Sequence, residues 1–121
     1  MPDVVVYTYA KCSTCRNATK WLRENGIAFE ERPIRETPPT PAELQKMLDV
    51  YQGDIRRLFN TSSADYREAG LKDRLDTWTP EEAFAVQQQN GNLVKRPFLL
   101  TADGRGIVGF KEDQWAAFFG K

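Results

Sequence analysis

An apolar run, Val4 to Tyr9, gives way after two residues to Cys12-Ser13-Thr14-Cys15, and there the hydrophobic period changes from strand-like to helical. The run is β-branched and aromatic, and short enough for a buried strand. From Ser13 onward Cys15, Ala18 and Leu22 share a helix face with Trp21 beside them, and Asn25-Gly26 supplies a stop in which glycine takes the left-handed conformation. Ile27 and Phe29 alternate with polar neighbours, which predicts a second strand ending near Pro33. Strand, helix and strand within about thirty residues form a right-handed βαβ unit, with the two cysteines at the strand-to-helix junction.

The middle of the chain is helical. Thr40-Pro41-Ala42-Glu43 and Thr79-Pro80-Glu81-Glu82 both read as capping boxes, with threonine at N-cap, proline at N1 and glutamate at N3. The first opens a helix with Leu44, Met47, Leu48 and Tyr51 on one face; the second runs through Ala83, Phe84 and Val86 toward Asn90-Gly91. Asp54–Phe59 and Asp65–Ala69 read as short helices between them. Phe98 to Thr101, a turn at Asp103-Gly104 and Ile107-Val108 form a β-hairpin, followed by a last helix burying Trp115, Phe118 and Phe119. The order β-α-β, helical insert, β-β-α predicts an α/β protein of thioredoxin-like fold. All of 1–121 is expected to be one domain, with its frame at 1–37 and 93–121 and the insert at 38–92.

Composition removes many chemistries. There is no histidine among the 121 residues, which excludes Ser-His-Asp and Cys-His catalysis and the usual catalytic zinc sites. Two cysteines alone cannot close a structural zinc site, so no metal is expected. Neither a P-loop nor a G-x-G-x-x-G nucleotide cradle occurs. Charge is balanced at 17 basic and 17 acidic side chains, so bulk electrostatics draws the chain to neither nucleic acid nor an anionic membrane. No stretch has the length of a membrane span, and the N-terminus does not read as a signal peptide. The expectation is a cytoplasmic monomer, in a compartment where a permanent structural disulfide is unfavourable.

Thiols then carry the chemistry. Cys12 stands just before the first helical turn, where unsatisfied N–H groups and the positive end of the helix dipole favour thiolate, with Arg16 as a nearby cation. Cys15 faces inward. That division makes Cys12 the attacking thiolate and Cys15 the resolving thiol, against the bland alternative of two small buried hydrophobes. Arg96-Pro97 precedes a strand, and in this frame its loop faces the cysteines. Residue chemistry alone balances a cis proline with an anion-binding arginine against a trans proline with a solvated one. Lys95, Arg96, Arg56, Arg57 and Lys111 are candidates for an anion pocket, although scattered surface charge is the better reading of Arg56 and Arg57. Ser13 and Thr14 suit either an oxyanion or a helix start. Asn60-Thr61-Ser62-Ser63 suits a polar lining or, preferably, the cap of the next helix.

Four stretches in order resemble the ArsC/Spx family of arsenate reductase-like proteins. They are Tyr7-Thr8-Tyr9-Ala10-Lys11-Cys12-Ser13-Thr14-Cys15-Arg16-Asn17-Ala18, then Leu58-Phe59-Asn60-Thr61-Ser62 with Tyr66-Arg67, then Lys95-Arg96-Pro97-Phe98-Leu99, and Val108-Gly109-Phe110-Lys111-Glu112. The resemblance implies that Cys12 is the nucleophile, that Arg96 helps hold an oxyanion and that Pro97 is cis. Glutaredoxin-linked arsenate reductases have a single active-site cysteine and two further arginines. Here Asn60 and Phe110, with Lys111 beside it, stand at those places. Each lost charge-assisted contact costs on the order of 1.5–3 kcal/mol, which points away from arsenate as substrate.

Two functions follow as expectations. One is a thiol–disulfide oxidoreductase re-reduced by glutathione, glutaredoxin or thioredoxin, with no bound cofactor. The alternative is a redox-sensing regulator similar to Spx, in which a Cys12–Cys15 disulfide gates binding to the RNA polymerase α subunit. No basic stripe supports direct DNA reading.

Overall fold

The structure, a computed structural model, describes residues 3–121. Strand β1 (Val4–Thr8) leads into helix α1 (Ser13–Glu24) and strand β2 (Glu30–Pro33). Helices α2 (Pro41–Val50), α3 (Ala64–Glu68), α4 (Leu71–Arg74) and α5 (Pro80–Gln89) follow, with short 3-10 turns at Ile55–Leu58, Leu75–Thr77 and Gly91–Leu93. Strands β3 (Phe98–Thr101) and β4 (Gly106–Val108) and helix α6 (Glu112–Phe118) complete the chain. The sheet order is β2-β1-β3-β4, with β1 parallel to β2 and antiparallel to β3. This is the thioredoxin-like frame with its helical insert.

Strand alternation divides the core. Val4, Val6 and Leu99 turn to one face, where they pack with Ala18, Trp21 and Leu22 of α1 and Trp115 of α6. Tyr7, Phe98 and Leu100 turn to the other and meet Leu44, Met47 and Leu48 of α2. The insert has a core of its own around Phe59, Tyr66, Leu71 and Leu75. Both capping boxes form. Thr40 Oγ1 accepts from the Glu43 amide at 3.2 Å while Glu43 accepts from the Thr40 amide at 2.9 Å, and Thr79 and Glu82 repeat the exchange. Glu43 also accepts the Tyr7 hydroxyl at 2.7 Å, which ties the insert to the central strand. Burial, reinforced by this carboxylate, pushes the Tyr7 phenol up to about 12.

Three expectations shift. The second strand begins at Glu30, because the Ile27 amide donates back to Leu22 O at 3.0 Å and holds that segment on the end of α1. Ile27 and Phe29 are half-buried against the α1 face from a loop. In the insert, helix continues beyond the expected Asp65–Ala69 stretch, since Gly70 at φ +65° ends α3 and starts α4. In α6 only Trp115 is fully buried, while Phe118 and Phe119 are half-exposed at the rim.

Gly91 marks where the insert rests on the sheet. A Cβ there would lie 2.1 Å from the Ile34 carbonyl oxygen, and Ile34 is itself bonded to Thr8 O at 2.8 Å. Backbone on both sides leaves no flexible atom to yield. Gly91→Ala is therefore expected to lower stability by about 1–3 kcal/mol, read as a lower urea midpoint; an unchanged midpoint would refute this tight approach.

Candidate active site

Cys12 is the N-cap of α1, with extended backbone (φ −96°, ψ 112°). Its amide donates to Tyr9 O at 3.0 Å and its carbonyl accepts the Arg16 amide at 3.1 Å. The side chain does what an N-cap oxygen ordinarily does: Sγ accepts the Cys15 backbone N–H at 3.3 Å. Cys12 remains half-exposed, whereas Cys15 is 1 % exposed beneath it. Burial raises the Cys12 thiol, but hydrogen bonds from the Cys15 side chain and amide, together with the Arg96 charge, outweigh it and hold the thiol below its ordinary range. Burial and the neighbouring Cys12 sulfur push Cys15 up to about 12. The pair is thus split into one thiol that ionises readily and one that keeps its proton.

Arg96 reaches Cys12 from residues 95–97, just before β3, and the Arg96–Pro97 peptide is cis. Its guanidinium lies over the Tyr9 ring, 4.8 Å from the centroid, and that of Arg35 stands 5.1 Å from the same ring. Arg96 also donates to Asn92 Oδ1 at 3.5 Å. The Asn92 amide is oriented by Asp65, whose Oδ2 accepts from Asn92 at 3.2 Å and from Asn90 at 2.8 Å. Those two bonds lower the Asp65 carboxyl below the usual carboxylate range. Sequence reasoning passed over Tyr9, Asp65 and Asn92 as supports of Arg96; their only signal was proximity to motif residues.

A cleft of about 540 Å³ opens beside Cys12. Of the expected residues, Thr14, Asn60, Arg96 and Lys111 line it together with Cys12 and Lys95. Four others stand outside the lining. Cys15 lies underneath, and Ser13 is exposed at the start of the helix. Arg16 turns away to donate to Ala10 O at 2.9 Å. Pro97 is buried, and its carbonyl accepts the Gly109 amide at 2.9 Å, which draws residues 109–111 to the cleft. Asn60 belongs to the wall rather than the cap, since Ser63 is the residue that caps α3 and accepts from Tyr66 N at 3.1 Å.

Arg56 and Arg57 also line the cleft, contrary to their reading as scattered surface charge. Arg56 is held by Asp76 at 2.8 Å and by Lys72 O at 2.9 Å, so its charge is largely compensated. Arg57 lies over the Tyr51 ring at 4.6 Å and has no acidic partner among the described residues. Phe110 supplies an apolar wall. Its ring meets Trp115 edge-on at 4.9 Å, and Trp115 Nε1 donates to Gly109 O at 2.9 Å, fixing the turn. An aromatic ring locked in this way holds no anion. Among the described residues no group of three or more Cys, Asp or Glu is placed to hold a metal.

Comparison with known proteins matches residues 7–118 to the ArsC family. The chain belongs to the ArsC family. It is 44 % identical to YusI of Bacillus subtilis over 93 % of this chain and 95 % of that protein. It is 29 % identical to the global transcriptional regulator Spx of Listeria innocua, over 95 % of this chain and 86 % of that one. Among solved structures, a possible arsenate reductase from Streptococcus mutans superposes with a TM-score of 0.86 at 30 % identity, covering 95 % of this chain and 98 % of that one. A protein named as a transcriptional regulator and one named as a possible arsenate reductase are thus both similar to this chain over nearly all of its length.

Replacing Arg96 removes a cation from the Cys12 thiolate. Arg96→Gln should move the Cys12 titration upward, toward an ordinary cysteine, and slow iodoacetamide alkylation at neutral pH on the order of three- to tenfold. Mass spectrometry of alkylation against pH reads this directly, and an unmoved midpoint would contradict the contact.

Proposed function

We propose that this protein is a thiol–disulfide oxidoreductase of the cytoplasm. The observation that supports this most is the division between the two thiols: an amide-capped, Arg96-paired Cys12 at the cleft and a buried Cys15 whose proton is held. Cys12 thiolate attacks one sulfur of a disulfide R–S–S–R′ and forms a mixed disulfide with R–S, and R′–S⁻ leaves with the electrons of the broken bond. Arg96 and the helix N-terminus stabilise negative charge on the sulfurs during exchange.

Once Cys12 is in a mixed disulfide, the negative sulfur that raised Cys15 is gone. The Cys15 thiol then loses its proton to solvent more readily, and the backbone contact from Tyr9 and the Arg96 charge favour the resulting thiolate. Cys15 attacks Cys12 Sγ, releases R–S⁻ and closes the Cys12–Cys15 disulfide, so two electrons have passed to the substrate. Glutathione, glutaredoxin or thioredoxin returns the pair to two thiols. Arsenate is a poor fit, because Phe110 is built into the aromatic packing and Asn60 is neutral.

The likeness to Spx, spread over 95 % of the chain, supports a second reading in which the same disulfide gates binding to the RNA polymerase α subunit. Pull-down of the α C-terminal domain with oxidised and with reduced protein separates the two; binding that ignores the redox state counts against the regulator.

For the oxidoreductase, Cys12→Ser should abolish disulfide reduction with each of the three donors, and Cys15→Ser should accumulate a mixed disulfide on Cys12 visible by intact mass. Full turnover by Cys12→Ser would refute the assignment.

A further inference from the structure

The chain carries no net charge, yet its cations are not evenly placed around the thiol. Arg57, Lys95, Arg96 and Lys111 line the cleft beside Cys12, and no aspartate or glutamate lines it among the described residues. None of the four forms an ion pair among the described residues, in contrast to Arg56. The Lys95 stem runs beside Gly109, its Cε 3.4 Å from where a Cβ would stand, which brings Lys95 next to the turn that carries Lys111. One thiolate cannot balance four cations. The volume of about 540 Å³ is that of a small-molecule site and exceeds by several fold what a tetrahedral oxyanion fills. Phe110 adds an apolar wall for a hydrocarbon arm.

Building on the oxidoreductase reading, we infer that the cleft favours small organic disulfides of net negative charge, with phosphate or carboxylate as the charged group, over neutral and cationic ones. A cationic disulfide would meet four like charges and find no carboxylate among the described lining residues. The chemistry is the exchange already described: Cys12 thiolate bonds to the sulfur of the anionic half, and the other half leaves as its thiolate. Field focusing in a low-dielectric cleft raises the local concentration of such anions and steers their approach.

The test is the rate at which the reduced full chain reacts with disulfides of different charge. The probes are dithiobis(nitrobenzoate) and coenzyme A disulfide as anions, dithiodipyridine as neutral and cystamine as cation. Each rate is divided by that of mercaptoethanol with the same probe. The normalised rates should fall in the order anionic, neutral, cationic, and the spread should shrink as salt is added. Lys95→Gln and Lys111→Gln should each reduce the anionic-to-neutral ratio about threefold at low salt, while Lys20→Gln, an exposed α1 lysine outside the cleft, should leave that ratio unchanged. Coenzyme A disulfide ahead of dithiobis(nitrobenzoate) supports a phosphate-bearing partner, and the reverse order supports a carboxylate. Normalised rates indifferent to charge, or a ratio unmoved in the Lys95→Gln/Lys111→Gln double variant, would overturn the inference. A Cys12 unreactive toward every probe, the neutral one included, would instead overturn the oxidoreductase reading beneath it.

Discussion

The antiparallel pairing of β1 with β3 is the constraint on which the site depends. Val6 lies opposite Leu99 and Tyr7 opposite Phe98, so the residues leaving β1 and those entering β3 meet at one end of the sheet. The first group ends in Cys12 and the second contains Arg96. Nothing local in the sequence joins them; the ladder does, and a slip of one residue would exchange the two faces of the core. The same end receives residues 109–111 through Gly109 N and Pro97 O. A thiol, a guanidinium and a lysine-bearing turn are thereby assembled by backbone hydrogen bonds, before any side chain adds its own preference.

Side chains then sharpen the assembly. Tyr9 offers a ring to two guanidinium groups, those of Arg96 and Arg35, and Asp65 orients Asn92 so that its carbonyl faces Arg96. On the other side Trp115 and Phe110 hold the turn, one by an indole hydrogen bond and the other by edge-on packing. The two cysteines differ because of where the helix begins. Cys12 stands outside it and receives an amide N–H, while Cys15 is inside it and buried. One added turn of helix before Cys12 would remove the distinction, since its sulfur would no longer meet the free N–H groups of the first turn.

Much of this was legible in the sequence because the relevant signals are local. The change of period after Tyr9, both capping boxes and the hairpin turn each involve residues within a few positions of one another, and each formed as expected. The strand-to-helix junction put Cys12 outside α1 and Cys15 within it for the same reason. What was missed is non-local. Arg56 and Arg57 looked like ordinary surface charge because a long-range pairing, Lys95 N to Leu58 O at 2.9 Å and Asn60 N to Leu93 O at 2.8 Å, is what sets their segment beside the cleft. The stretch Asn60–Ser63, by contrast, fills both roles it suited, with Ser63 as the cap of α3 and Asn60 in the cleft wall. Residue chemistry left the geometry of Arg96–Pro97 balanced between two states, and it was the family resemblance that implied the cis peptide seen in the structure.

The central claim is that Cys12 and Cys15 act as one two-electron pair. Equilibrating the protein across glutathione buffers of rising oxidising power, then cleaving after Lys11 and Arg16, isolates both cysteines on the peptide Cys12-Ser13-Thr14-Cys15-Arg16. The account predicts one transition, from the dithiol peptide to the same peptide lacking two hydrogens, with the glutathione adduct on Cys12 only a minor transient. An adduct that persists on Cys12 with Cys15 still a free thiol at every poise would contradict it.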